Sequence, residues 1–65
     1  MQDQERKRAL LSAARLLVRA QDQHRMAARK LRRCNLTAAA DRHDATAQEL
    51  GQEASALRQD AEELG

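Results

Sequence analysis

The sequence predicts an all-α protein, an antiparallel two-helix hairpin of the coiled-coil, Alacoil-like kind that pairs with a second copy into a four-helix bundle. Three observations lead there. The apolar residues are 14 Ala, 9 Leu, 2 Met, 1 Val and 1 Cys, with no aromatic, no Ile and no Pro, which suits long helices and not sheets. They recur at alternating spacings of three and four along most of the chain. That pattern changes phase once, near residues 34 to 37.

The whole chain, 1–65, is expected to be one domain. Helix 1 is expected over about 3–33, with a seam of Leu10, Ala13, Leu17, Ala20, His24, Ala27, Leu31 and Cys34. Continuing that register would place Ala38 and Asp41 inside, so one straight helix would rotate its apolar stripe away from any partner. A turn over about 34–36 resolves the conflict. Asn35 can take the left-handed conformation that ends a helix, Leu36 can touch Leu31, and Thr37 can cap the next helix. Arg32 and Arg33 then fall in a last turn that favours cations, and Asp41 in a first turn that favours anions.

Helix 2 is expected over about 37–64, with a seam of Leu36, Ala40, His43, Ala47, Leu50, Ala54, Leu57, Ala61 and Leu64. A short connection makes the two helices antiparallel and pairs positions whose numbers add up to 70 or 71. The layers become Leu31 with Ala40, Ala27 with His43, His24 with Ala47, Ala20 with Leu50, Leu17 with Ala54, Ala13 with Leu57 and Leu10 with Ala61. Each holds one large and one small side chain, so the helices can approach closely without voids. Gly51, inside helix 2, is either a point of close approach or bending, or a residue tolerated on an exposed side at about 1 kcal/mol relative to Ala.

Charge follows the same division. Residues 1 to 33 hold 10 Lys/Arg against 3 Asp/Glu, and residues 34 to 65 hold 2 against 7. Antiparallel folding lays these halves side by side and brings Glu62 and Glu63 near Arg8 and Lys7. Exposed pairs of this kind favour one orientation and add little stability, at most about 1 kcal/mol each.

A chain of this length buries too little surface as a lone hairpin, and one cysteine allows no internal disulfide. More apolar surface must be covered, and helix 1 offers it: Leu11, Ala14 and Val18 on one flank, Ala9 and Leu16 on the other. Leu11, Ala14, Leu16 and Val18, with Arg15 and Arg19 around them, are therefore the expected surface for a second copy or a partner protein.

The pattern of alternating Leu and Ala layers from Leu10 to Leu64 resembles the repressor-of-primer (Rop) family of bacterial plasmids. The resemblance lies in the architecture of the whole chain and in no local motif. It implies a homodimeric four-helix bundle that binds paired RNA loops through helix 1. That family's RNA-binding face includes an aromatic residue, and this chain has none.

Arg8, Arg15, Arg19, Arg25, Arg29 and Arg33, with Lys30 and Arg32, could track phosphates. Balanced by an acidic helix 2 and lacking stacking aromatics, they read better as a solvated face or the rim of a protein interface. His24 and His43 are expected to form a polar layer that fixes register, since two ligands do not make a zinc site. Cys34 lies about 15 Å along the helix from His24, so it closes a seam better than it serves as a nucleophile.

No paired carboxylates, no Gly-rich phosphate loop and no cleft are foreseen, so the expectation is a non-enzyme without metal, cofactor or small-molecule substrate. No stretch is apolar enough for a membrane span, and Asp3, Glu5 and Asp22 oppose a transit peptide, which leaves a cytoplasmic protein with a reduced thiol. The expected function is a small regulatory protein that binds and inhibits a partner, of the phage- or plasmid-encoded kind that acts on host regulators. Alternatives are an RNA-binding regulator using the basic face of helix 1, and a subunit of a larger helical assembly.

Overall fold

The computed structural model describes residues 2–65. Two helices, α1 (Gln2–Arg33) and α2 (Thr37–Leu64), pack against each other as a hairpin. Both are runs of strong helix formers with no proline, and neither depends on β-branched residues. The Cα trace measures 51 × 13 × 10 Å, so the molecule is two helices wide and one helix thick.

The turn is a Schellman motif. Asn35 has φ 61°, its N–H donates to the Arg32 carbonyl at 3.0 Å, and the Leu36 N–H donates to the Leu31 carbonyl at 2.9 Å. Asparagine tolerates this left-handed conformation better than most residues, and the two bonds satisfy carbonyls that the end of α1 would leave bare. Lys30, Arg32 and Arg33 occupy the last turn of α1, where cations are favoured.

Two details of the α2 start differ from expectation. Leu36, not Thr37, is the capping residue, and no side chain caps the helix. Thr37 already has helical geometry, so its hydroxyl belongs to the first turn instead of preceding it. The Leu36 carbonyl opens the helix by accepting from the Ala40 N–H at 3.0 Å. The first turn of α2 contains no acid. Asp41 lies one turn later, where its carboxylate reaches back to Arg32.

The interior consists of alanine. Ala14, Ala28, Ala40, Ala47, Ala54 and Ala61 are at most 2 % exposed, and among the described residues no larger side chain is fully buried. On α2 these are the expected small positions of the seam. On α1 the seam corrects the expectation: the small positions are Ala14 and Ala28, with Gln21 between them, while Ala13, Ala20 and Ala27 lie at its edge and are not buried. Leu10, Leu17, His24 and Leu31 keep their expected places. The reason lies in the pairing of antiparallel helices of equal rise, which requires one constant sum. The leucine layers of α1 add up to 71, and only Ala14, Gln21 and Ala28 match that sum with Leu57, Leu50 and His43.

Gln21 brings a long side chain into a row of alanines, and Gly51 makes room for it. A Cβ at residue 51 would lie 2.4 Å from Gln21 Nε2 and 3.2 Å from its Cδ. The glycine therefore answers a contact inside the hairpin.

Candidate interaction surface

In a heptad pattern the small seam residues occupy one position and the large ones another, and an antiparallel pair turns the same position of both helices to the same side. The histidines demonstrate this directly. His24 Nδ1 and His43 Nδ1 approach to 2.9 Å and the rings lie 5.1 Å apart, although the residues come from different helices. They sit in the same rows as Leu10, Leu17 and Leu31 on α1 and Leu50, Leu57 and Leu64 on α2, all half-buried. One broad face of the hairpin is thus a double row of leucines interrupted by a histidine pair.

The edges of that face are also apolar on the α1 side. Ala13, Ala20 and Ala27 line it, and Leu16 stands beyond them at 61 % exposure. Leu36, 53 % exposed, closes the row at the turn end. The chain exposes 5114 Å² in all, whereas a compact protein of 7.3 kDa would expose about 4,200 Å².

Polar side chains line the opposite face. Lys7 Nζ lies over Gly65, Gln21 over Gly51, and Arg32 bridges Asp41 at 2.8 Å and Asp44 at 2.7 Å. Hydrogen bonds from Arg32 to Asp44 and then Asp41 push its already high pKa further up, so this exposed guanidinium stays charged. Near Gly51 the surface is an open, polar groove lined by Gln21, Arg25, Gln48, Gln52 and Arg58.

At about 100° per residue, Arg8, Arg15, Arg19, Arg25, Arg29 and Arg33 fall within a single arc of roughly 120° that runs from the polar face, where Arg25 lines the groove, to the outer side of α1. All six are exposed, and the ion pairs among the described residues belong to Arg32. Lys7 and Arg8 make no ion pair with Glu62 or Glu63 among the described residues; Lys7 leans on the backbone end of α2 instead. Leu11 and Val18, half-buried, lie within this arc on its polar-face side.

The expected interaction residues of α1 lie on two flanks, as their spacing in the sequence places them. Leu11 and Val18 lie on one side of the hairpin and Leu16 on the other, about 140–160° around the helix, with Arg15 and Arg19 between them. Ala14 is 2 % exposed and belongs to the hairpin seam, where no partner can reach it. Sequence reasoning overlooked Gln21, whose only signal was the glycine that would stand opposite it.

His24 and His43 form the polar layer inside one hairpin. Among the described residues no group of three or more His, Cys, Asp or Glu is placed to hold a metal ion. Cys34 is free and exposed at the turn. No helix among the described residues is long and apolar enough to cross a membrane. No protein-family model matches the chain, and neither a curated protein nor a solved structure matches it.

Proposed function

We propose that this hairpin is one half of a homodimeric four-helix bundle and acts in the cytoplasm as a non-enzymatic regulator, binding and inhibiting a partner protein through the outer side of α1. The supporting observation is the strip where half-exposed Leu11 and Val18 border the solvent-facing Arg8, Arg15 and Arg19. Such a strip combines a small apolar anchor with a cationic rim, the composition of a protein interface core and its edge. Its complement is an acidic surface with a shallow apolar groove. α2 carries no equivalent, because its outward residues are mainly acids, glutamines and alanines.

A second reading has its own support. Six arginines on one arc span about 38 Å of helix, a length over which phosphates of a folded RNA could be tracked.

Affinity capture from the native host separates the two. The bait is the wild type, Val18→Asp, or a chain with Arg15, Arg19 and Arg25 changed to Gln, each verified as helical. The expected result is a protein captured by the wild type, resistant to nuclease and lost with Val18→Asp. Capture that survives Val18→Asp but disappears both on nuclease treatment and with the arginine variant would replace this reading with RNA binding.

A further inference from the structure

We infer that the leucine face is covered by a second copy of this chain in one particular orientation, with the two turns at the same end of the bundle and each α1 lying beside the α2 of the other copy. The inference rests on the dimeric reading above and specifies its geometry.

The area argues for a protein occupant of this size. The excess of exposed surface over that of a compact protein of equal mass is roughly 900 Å², close to what each partner of a standard interface buries, about 800 Å². The leucine rows provide the apolar centre of that area.

Shape argues for a copy of this chain. A two-fold axis along the bundle keeps every residue at its own height, so residues of α1 are level with the same α2 residues in the second copy as in their own. Ala13, Ala20 and Ala27, which take no part in the small positions of the internal seam, are then level with Leu57, Leu50 and His43 of the second copy to within one residue. Leu16 is likewise level with Ala56 of the second copy, both at the outer edge of the face. Small again meets large. α1 carries two interleaved seams that share Leu10, Leu17, His24 and Leu31: one for its own α2 through Ala14, Gln21 and Ala28, and one for a foreign α2 through Ala13, Ala20 and Ala27.

Charge chooses the orientation. With the turns at opposite ends, α1 would lie along α1 of the other copy, setting two segments of 10 cations against 3 anions side by side. With the turns together, each such segment lies between two α2 helices that hold 7 anions against 2 cations. Every neighbouring pair is then antiparallel and of opposite sign, and Arg6 comes near Glu63 of the second copy. The same orientation places both His24–His43 pairs in one layer.

The single cysteine provides the measurement. With the turns together, the two Cys34 thiols lie roughly 10–15 Å apart, as expected across a four-helix bundle with neighbouring axes 8–10 Å apart. With the turns opposed, they are separated by nearly the 51 Å length of the hairpin. Sedimentation at tens of micromolar should give a dimer, and a bis-maleimide with a spacer of about 13 Å should convert most of it to a covalent dimer that Cys34→Ser abolishes. Ala20→Lys, at the edge of the open face and outside the internal seam, should weaken the dimer at least about 100-fold, while Gln48→Lys on the opposite side should not. A monomer in sedimentation would overturn the dimeric reading itself. A dimer that resists cross-linking at Cys34 would overturn this orientation, and one indifferent to Ala20→Lys would overturn the leucine face as the interface; either result leaves dimerisation standing.

Discussion

Replacing Gly51 by alanine separates two effects that act in opposite directions. In an open helix interior, Gly→Ala is worth about 1 kcal/mol of stability through helix propensity. Here the new Cβ would fall 2.4 Å from Gln21 Nε2, so the glutamine must swing aside. The displaced group is the tip of a flexible side chain, and the displacement costs about 0.5–1 kcal/mol in altered rotamer and lost contact. The expected net effect of Gly51→Ala is therefore between zero and about 0.5 kcal/mol of stabilisation. In a Gln21→Ala background the obstacle is absent, and the same change should stabilise by the full value of about 1 kcal/mol. For a domain of this size that corresponds to roughly 4–8 °C in Tm. The assay is thermal melting monitored by circular dichroism, on all four members of the double-mutant cycle at one protein concentration, because association shifts Tm by mass action. Equal gains in both backgrounds would refute the assignment of Gly51 to Gln21. A loss above about 1 kcal/mol in both would mean that the glycine serves close approach of the backbones.

Ala47→Leu forces a larger side chain into the alanine interior, where residue 47 has no exposure, and should cost about 1–3 kcal/mol in chemical denaturation; Ala45→Leu on the exposed side should change little. Tolerance of leucine at 47 would contradict close helix approach. Changing both His24 and His43 to Leu continues the leucine rows and should stabilise the protein by about 1 kcal/mol or more, whereas either change alone removes the partner of the remaining imidazole and should gain less. Strict additivity of the two single changes would show that the imidazole contact contributes nothing.

The two helices and their break were readable because a phase change cannot be hidden: Ala38 and Asp41 would have entered the core of a continuous helix. The α2 seam was equally plain, since one spacing of alanines, Ala40, Ala47, Ala54 and Ala61, runs its whole length. α1 was ambiguous because alanine doublets, Ala13 with Ala14 and Ala27 with Ala28, satisfy both ways of alternating three and four. Only residues 20 and 21 distinguish them, and hydrophobicity favours Ala20 over the Gln21 that the hairpin uses. The constant sum required of antiparallel pairs decides the matter, and layers alternating between 70 and 71 violated it. The start of α2 was missed for a different reason. A threonine at the right distance from a turn fits two positions, and backbone geometry alone determines that Leu36 occupies the cap. On the surface, the exposed arginine arc is a consequence of helical periodicity, as is the division of Leu16 from Leu11 and Val18.

The buried interior of the described residues is alanine, which has almost no side-chain freedom to lose on folding and almost no shape of its own. Alanines seven residues apart on α2 look identical to the opposing helix, so sliding one helix past the other by a heptad would leave most of the seam content. Three unique features break that repetition: the Asn35 turn, the Gln21–Gly51 contact and the paired imidazoles. The turn is the strongest of these, because it ties the two rows of alanines together over three residues. Such a hairpin behaves like a measuring scale with evenly spaced marks and a single zero, set at the turn.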